Sequence, residues 1–181
     1  ISSGLIGRFG AIDDSEGGFT GRTNINASLL KSFDDGSTFR NRLYVSAYDF
    51  ELYSNFTFYL FDSVNGDQIK QKEKRTIYGY TGTYQKPLVI ASKSARIEAS
   101  AGIRHDVVND SELSHVRKRY AFLNPITLGD IDQTNANVAG GITMNVSDRV
   151  IVNGGARVDA FLFQYSDRLS GPYERQSESE V

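Results

Sequence analysis

Apolar and polar residues alternate over unusually long stretches of this chain. From Arg96 to Asp106 the odd positions are Ile, Ala, Ala, Ile and His, and the even positions are Arg, Glu, Ser, Gly, Arg and Asp. From Val152 to Tyr165 the even positions up to Leu162 are small or apolar, whereas Asn153, Arg157 and Asp159 share the other phase. Since successive side chains of a strand point to opposite faces, each stretch predicts a strand with one apolar and one polar face. Both exceed the about 5–6 residues typical of globular proteins.

The same pattern across all 181 residues predicts an all-β fold, an antiparallel up-and-down meander of about six strands in one domain, 1–181. We find no convincing amphipathic helix. The longest predicted strand has an ambiguous phase over 39–48, and its second half places Phe56 and Phe58 on the apolar face and Asn55 with Asp49 and Glu51 on the polar face. The predicted strands are 23–33, 38–61, 74–85, 95–108, 133–145 and 149–166.

Connections of unequal length alternate along this meander. Tight hairpin turns rich in Asp, Gly and Ser are predicted at 34–37 and 146–149, and 85–94 is a somewhat longer link. Two long polar links are predicted at 62–74 and 109–132. Short turns therefore lie at one end of the predicted sheet and long loops at the other, which is the rule for outer-membrane barrels.

Composition excludes several classes of protein. The formal net charge of −2 gives no general affinity for nucleic acid, and the absence of Cys excludes disulfides and Cys-ligated zinc. No apolar run approaches the about 20 residues of a membrane helix. A mean hydropathy of −0.37 resembles that of a soluble protein. Bulk hydropathy is blind to membrane strands, whose signal is alternation.

The predicted polar face carries an arginine followed two positions later by an acid, as in Arg104/Asp106 and Arg157/Asp159, with Arg96/Glu98 as a third case. Such neighbours bridge along and across strands. They suit either a polar lumen or an ordinary water-facing sheet. The small residues of the opposite face favour lipid over a protein core about 10 Å thick. Aromatic residues are candidates for belts at the membrane interface: Tyr44, Tyr48, Phe50, Tyr78, Tyr80, Tyr84, Phe163 and Tyr165.

The segment Asp49–Arg75, "DFELYSNFTFYLFDSVNGDQIKQKEKR", resembles part of the barrel of TonB-dependent receptors, which are transporters of the bacterial outer membrane. Residues 54–60 are similar to a family strand that reads close to S-N-F-T-F-F-L, and 65–75 are similar to the loop motif N-G-D-Q-I followed by Q-x-E-x-R. Tyr59 replaces a usual Phe, and Ser63 replaces an expected Pro. Looser resemblance extends over Gly4–Gly18 and Arg157–Gly171.

This resemblance implies a 22-stranded barrel closed by a plug domain, which imports a scarce ligand such as an iron–siderophore complex. Its implied partners are outer-membrane lipid, the plug domain, the inner-membrane TonB complex and the small-molecule ligand. No part of the chain is similar to a plug or to the segment that contacts TonB, and "ERQSESEV" is unlike the final strand of such barrels. We therefore expect an interior piece of a receptor barrel.

Binding and passage, not catalysis, are the chemistry that we expect. The chain has no P-loop, G-x-S-x-G or H-E-x-x-H motif, so neither an enzyme nor a cofactor is predicted. His105 and His115 match no metal-site spacing, and "NGDQ" is better explained by a turn than by Ca²⁺. The candidate ligand-contacting residues are Arg104, Asp106, Arg157, Asp159, Arg117 and Arg119.

Three hypotheses follow from the sequence. The first is part of a TonB-dependent receptor in the bacterial outer membrane. The second is another outer-membrane barrel, either a porin or a small structural barrel. The third is a soluble β-sheet module that binds a ligand, which would remain a monomer without detergent.

Overall fold

The computed structural model describes residues 13–169 and 176–180, and this part of the chain is almost entirely β-structure. Its strands are long, which gives each one many ladder hydrogen bonds to its neighbours. They are β1 (Gly17–Ser32), β2 (Thr38–Ser54), β3 (Ile69–Ile90), β4 (Lys93–Arg117), β5 (Ala121–Ser147), β6 (Val150–Asp167) and β7 (Gln176–Glu180).

The strands form one sheet in sequence order, and every neighbouring pair is antiparallel. This confirms the predicted all-β antiparallel meander. The sheet is open within the described residues, with β1 and β7 as its edges. The short strand β7 is not among the predicted strands, because "QSESE" has no apolar position to alternate with its polar ones.

Two predicted connections are wrong. The region 109–132 is not a loop, because β4 continues to Arg117, β5 begins at Ala121, and only 118–120 connect them. The region 85–94 is also mostly strand, and its turn consists of Ala91 and Ser92, whose φ angles are 48° and 60°. Two consecutive positive φ angles match the type I′ turn that suits the twist of a two-residue hairpin.

The predicted strand 38–61 is too long, because β2 ends at Ser54 and residues 55–61 form turns. The predicted phase of its second half is also wrong. Asp49 pairs with Lys74 and lies on the face of Val45 and Tyr78, whereas Phe50 lies on the opposite face with Tyr48. Asn55 is buried beyond the end of the strand and does not line either face.

The connections are sorted by end, as the sequence predicts for the short turns. At one end, the turn end, the linkers are 33–37, 91–92 and 148–149. At the other, the loop end, β2 and β3 are joined by residues 55–68 and β4 and β5 by residues 118–120. In place of a second long loop, the β4–β5 hairpin extends beyond its neighbours at the loop end.

The register divides the sheet into two chemically distinct faces. One, the apolar face, aligns Ile25, Val45, Tyr78, His105 and Thr134 across five strands, with Leu162 on the sixth. The opposite face, the polar face, aligns Asn26, Tyr44, Gly79, Arg104 and Asn135. Tyr44, Tyr48, Phe50, Phe163 and Tyr165 lie on the polar face, so of the candidate belt residues only Tyr78, Tyr80 and Tyr84 are on the apolar face.

The described chain has almost no hydrophobic core. Its buried hydrophobic residues are Ala95, Val108 and Val116. Large apolar side chains are instead exposed over the apolar face, with Val138 58% and Leu162 59% exposed. In the described residues, no helix has the length and apolar character to span a membrane. A single-layered sheet of this kind leaves its apolar face without a protein partner.

Gly79 shows how closely the polar face is packed. It pairs with Tyr44, and a Cβ at Gly79 would lie 2.1 Å from the Tyr44 ring. An aromatic ring over a strand glycine covers the bare backbone that glycine leaves. Gly154, on the apolar face, has open space within 4 Å of an added Cβ.

We expect Gly79→Ala to lower the free energy of unfolding by about 1–3 kcal/mol, because the Tyr44 ring must move. Gly154→Ala is the matched control and should raise stability by about 0.5–1 kcal/mol, since alanine restricts the unfolded chain. Urea unfolding of the protein refolded in detergent micelles measures both changes. Equal effects of the two substitutions would contradict the packing described for Gly79.

Candidate functional site

The main polar cluster lies in the middle of the polar face, on β3 and β4. Arg104 makes two hydrogen bonds of 2.6 Å to the carboxylate of Asp106, one from Nε and one from Nη2. Asp106 is only 3% exposed, and Nη1 of Arg75 lies 3.9 Å from its Oδ2. Arg104 therefore holds this buried carboxylate in the planar fork geometry in which arginine pairs best with acids. Arg75 lies beside it and forms its own ion pair with Glu73 at 3.2 Å.

A second pair lies two strands away on β6. Arg157 donates two hydrogen bonds of 2.7 Å to Asp159, which also accepts a 3.4 Å bond from the Asn135 amide. The Asp159 side chain is 28% exposed and that of Asp106 only 4%, so the carboxylate of this second pair is the more hydrated. β5 separates the two pairs by roughly 10 Å across the sheet, and the register offsets them by four residues along the strands. Between them the polar face presents Asn135 and Asn137.

The third predicted pair does not form. Arg96 and Glu98 share the polar face, but Glu98 accepts a 2.6 Å hydrogen bond from Gln85 on β3. Cross-strand geometry brings the amide closer to this carboxylate than the arginine two positions away on the same strand. Two of the three predicted pairs therefore form hydrogen-bonded ion pairs, while their contact with a ligand stays a prediction.

Aromatic rings share the polar face with these charges. Tyr48 stacks near Phe50, with ring centroids 6.3 Å apart, and the guanidinium of Arg22 lies 5.0 Å from the Tyr48 centroid. Phe161 and Phe163 are similarly arranged at 6.1 Å. The polar face thus offers paired charges, amides and flat apolar surfaces, a combination that suits binding of a polar molecule with aromatic or apolar parts.

A network of hydrogen bonds at the loop end joins distant parts of the chain. The side chain of Arg119 donates to the carbonyl oxygens of Ser15 and Glu16, and its backbone N–H donates to Oε1 of Gln68 at 2.8 Å. Gln68 is 2% exposed and donates to Oγ of Ser15 at 2.7 Å. These hydrogen bonds connect the β4–β5 turn to the start of β3 and to the segment before β1.

Asn55 belongs to the same network. Its backbone N–H donates to Glu16 at 2.7 Å and its side-chain amide donates to Asp13 at 2.6 Å. Hydrogen bonds from Asn55 and Ser15 lower the pKa of the Asp13 carboxyl below its ordinary value. The ionised Asp13 carboxylate therefore stabilises the hydrogen-bonded network at pH values above its ordinary pKa. This stabilisation is lost as the pH falls through the lower pKa of the folded state.

The two candidate arginines of the β4–β5 turn region are already engaged. Arg117 donates to Oδ1 of Asn65 at 3.3 Å, and Arg119 is held by the bonds just described. The cation of Arg119 also lies 5.4 Å from the Tyr53 ring centroid. These contacts assign both residues a role in positioning loops, and direct contact with a ligand stays a prediction.

The β2–β3 linker is rigidly built and borders a cavity. The carboxylate of Asp62 accepts the N–H groups of Val64 and Asn65, bonds that lower its pKa, and His115 holds the linker through a 2.6 Å bond to the Gly66 carbonyl. This supports turn chemistry for "NGDQ". A cavity of about 460 Å³ lies beneath, lined in part by Phe56, Phe61, Asn124 and Ile126. Phe56 and Phe61 are 80% and 82% exposed.

No metal centre is evident in the part of the chain that the structure describes, where no three His, Cys, Asp or Glu side chains are grouped to hold an ion. His105 lies on the apolar face opposite Tyr78 and shares a 2.9 Å hydrogen bond with Thr134. His115 is used by the β2–β3 linker.

Comparisons with known proteins leave the family open. No protein-family model, curated protein or solved structure matches this chain.

Sequence reasoning missed Arg75, Gln68 and the role of Asn55. Arg75 could have been found, because it shares the phase opposite to Tyr78 and Tyr80 in the predicted strand 74–85 and so belongs on the face of Asp106. Nothing in the local pattern indicates the Gln68 and Asn55 contacts, since both partners lie more than 35 residues away.

We expect Asp106→Asn to lower the free energy of unfolding by about 1–3 kcal/mol, because it removes the buried carboxylate that accepts both hydrogen bonds of Arg104. Asp159→Asn is the matched control, and the exposure of the Asp159 carboxylate limits its cost to about 1 kcal/mol or less. Urea unfolding in micelles compares the two. A larger loss for Asp159→Asn would contradict the central place given to Asp106.

Proposed function

We propose that this chain forms part of the barrel wall of a TonB-dependent receptor, which actively imports a scarce ligand across the bacterial outer membrane. The observation that carries the proposal is the single-layered sheet itself. It has an exposed apolar face, a polar face with paired charges, and almost no core among its described residues.

The height of the apolar face fits a membrane. On β4 the residues of this face from Ile97 to Val107 are Ile, Ala, Ala, Ile, His and Val. Ten steps of about 3.3 Å give roughly 33 Å along the strand. A strand tilt of about 40° reduces this to about 25 Å, the height of the apolar band of outer-membrane barrels.

Water is a poor environment for this face. Exposed side chains of Ile103, Val138 and Leu162 lie on three neighbouring strands, together with Val158. Contiguous apolar patches beyond a few hundred Å² are rare on soluble monomers and mark contact with a protein or a membrane. Lipid acyl chains fit a face of mixed Ala, Gly and Val, because they conform to its relief without leaving cavities.

The choice of a receptor among barrel proteins rests on the polar face and on the resemblance of Asp49–Arg75 to the family. In this proposal Arg104, Asp106, Arg157 and Asp159 line the lumen and meet a plug domain or the passing ligand. The linker 55–68 and the β4–β5 hairpin help capture the ligand, an iron–siderophore complex or a comparable nutrient. Residues 55–60, which resemble a strand of the family, form the start of the linker in this structure.

Disruption of the gene should abolish energy-dependent accumulation of one labelled ligand. The measurement compares uptake of ferric siderophores and cobalamin by iron-starved cells with and without the gene, and a protonophore tests the energy requirement. We expect uptake of one ligand to require both the gene and the proton gradient.

The rivals give different results. If the chain belonged to a porin, disruption of the gene would lower passive permeation of small solutes, and the protonophore would have no effect. A soluble binding module would be found as a monodisperse monomer in buffer without detergent. Either outcome would contradict the receptor proposal.

A further inference from the structure

Lysine and arginine are sorted by face in this sheet. The strand lysines of the described chain all lie on the apolar face: Lys31, Lys70, Lys72, Lys74, Lys86 and Lys93. Seven of the eight strand arginines in the same ranges lie on the polar face: Arg22, Arg40, Arg42, Arg75, Arg96, Arg104 and Arg157. Lysine and arginine carry the same charge, so their sorting between the two faces must depend on the chemistry of their surroundings.

The lysines lie at the two ends of the apolar face and leave its middle uncharged. On β3, Lys74 and Lys86 are separated on this face by Thr76 and four further residues that are Tyr or Gly. Twelve steps of about 3.3 Å amount to roughly 40 Å along the strand. With a tilt of about 40°, the two ammonium groups are about 30 Å apart along the membrane normal, which is the thickness of the hydrocarbon layer.

Lysine suits such a boundary for a physical reason. Its flexible apolar stem lies along the hydrophobic surface while the ammonium group reaches the water or a headgroup. The ammonium group acts as a compact point charge towards phosphate, whereas the fork of arginine is matched to carboxylates. The pairing of Arg104 with Asp106 illustrates the second use on the polar face.

The two rows of lysines differ in their partners. At the loop end, Lys70 lies 3.1 Å from Glu112 and Lys72 lies 3.8 Å from Asp110, while Lys74 forms no ion pair with a described residue. At the turn end, Lys86 pairs with Asp35 at 2.9 Å, but Lys31 and Lys93 form no ion pair with any residue in the described ranges. Lys31 lies over the ring of Phe33 at 4.9 Å. The turn end therefore presents two ammonium groups, those of Lys31 and Lys93, that form no ion pair with the acids of the described residues.

We propose that Lys31 and Lys93 bind the phosphate groups of anionic phospholipids at the turn-end boundary of the bilayer. This inference rests on the proposed membrane location. It adds a lipid preference and a specific pair of residues: the apolar face determines that the sheet enters a bilayer, and these lysines determine which headgroups border its turn end.

The test measures association of the full chain, diluted from urea, with vesicles of phosphatidylcholine alone or mixed with phosphatidylglycerol. Flotation at increasing lipid concentration gives the apparent affinity for each composition. Each lysine near an anionic surface strengthens association about fivefold. The Lys31→Gln, Lys93→Gln double variant should therefore lose about 25-fold of the preference for anionic vesicles, while its affinity for phosphatidylcholine stays unchanged.

Arg40→Gln, Arg96→Gln is the control, because it removes the same charge from the polar face of the same part of the sheet. This control should retain the preference for anionic vesicles, and circular dichroism in micelles verifies that each variant forms β-structure. An equal loss in both double variants, or no preference in the parent chain, would overturn the lipid inference and leave the membrane proposal standing. No association with either vesicle would overturn both.

Discussion

The fold depends on one interaction, the antiparallel backbone ladder that runs through all seven strands. In most domains a core fixes the arrangement of strands, but here Ala95, Val108 and Val116 are the buried hydrophobic residues of the described chain. The ladder therefore sets the register, and the register sets which side chains share a face. A shift of one residue between two strands would exchange their polar and apolar faces. The long strands oppose such a shift because each adds many ladder bonds.

Because the described chain has almost no hydrophobic core, the stability that a core would give must come from contacts between the sheet and its surroundings. An apolar face of this size gains stability only when water is removed from it, at roughly 25 cal/mol for each Å² covered. The polar face has the opposite requirement, because the charged side chains of Arg104 and Arg157 are about half exposed and need water. A lipid environment on one side and an aqueous lumen on the other, as in the proposed transporter, meet both requirements.

Alternation in the sequence predicts the strands correctly in those parts of the sheet where one face is apolar and the other is polar. The strands at 95–108 and 149–166 were predictable because Ile97, Ile103, Val152 and Val158 alternate with positions that are mostly polar or charged. Prediction failed at the loop end, where β4 continues through "NDSELSH" with polar residues in both phases. Beyond a boundary such as the one at Lys74, both faces are polar, so periodicity carries no signal.

The candidate site was predictable to a similar degree. Arg104–Asp106 and Arg157–Asp159 follow from spacing along one strand, whereas Glu98 pairs across strands with Gln85 and cannot be assigned without the register. Asn55 is the clearest case of a misleading pattern. Its alternating aromatic neighbours suggest a strand, but its hydrogen bonds to Asp13 and Glu16 depend on chain folding over about 40 residues.

In the proposed barrel wall, the apolar face contacts lipid and the polar face does not. The chain has no Trp, so one introduced indole reports on one position. Val138 and Asn137 are neighbours on β5 that lie on opposite faces. In vesicles of lipids with brominated acyl chains, Val138→Trp fluorescence should be strongly quenched and Asn137→Trp fluorescence should be nearly unchanged. Equal quenching at both positions, or none at Val138→Trp, would contradict the account.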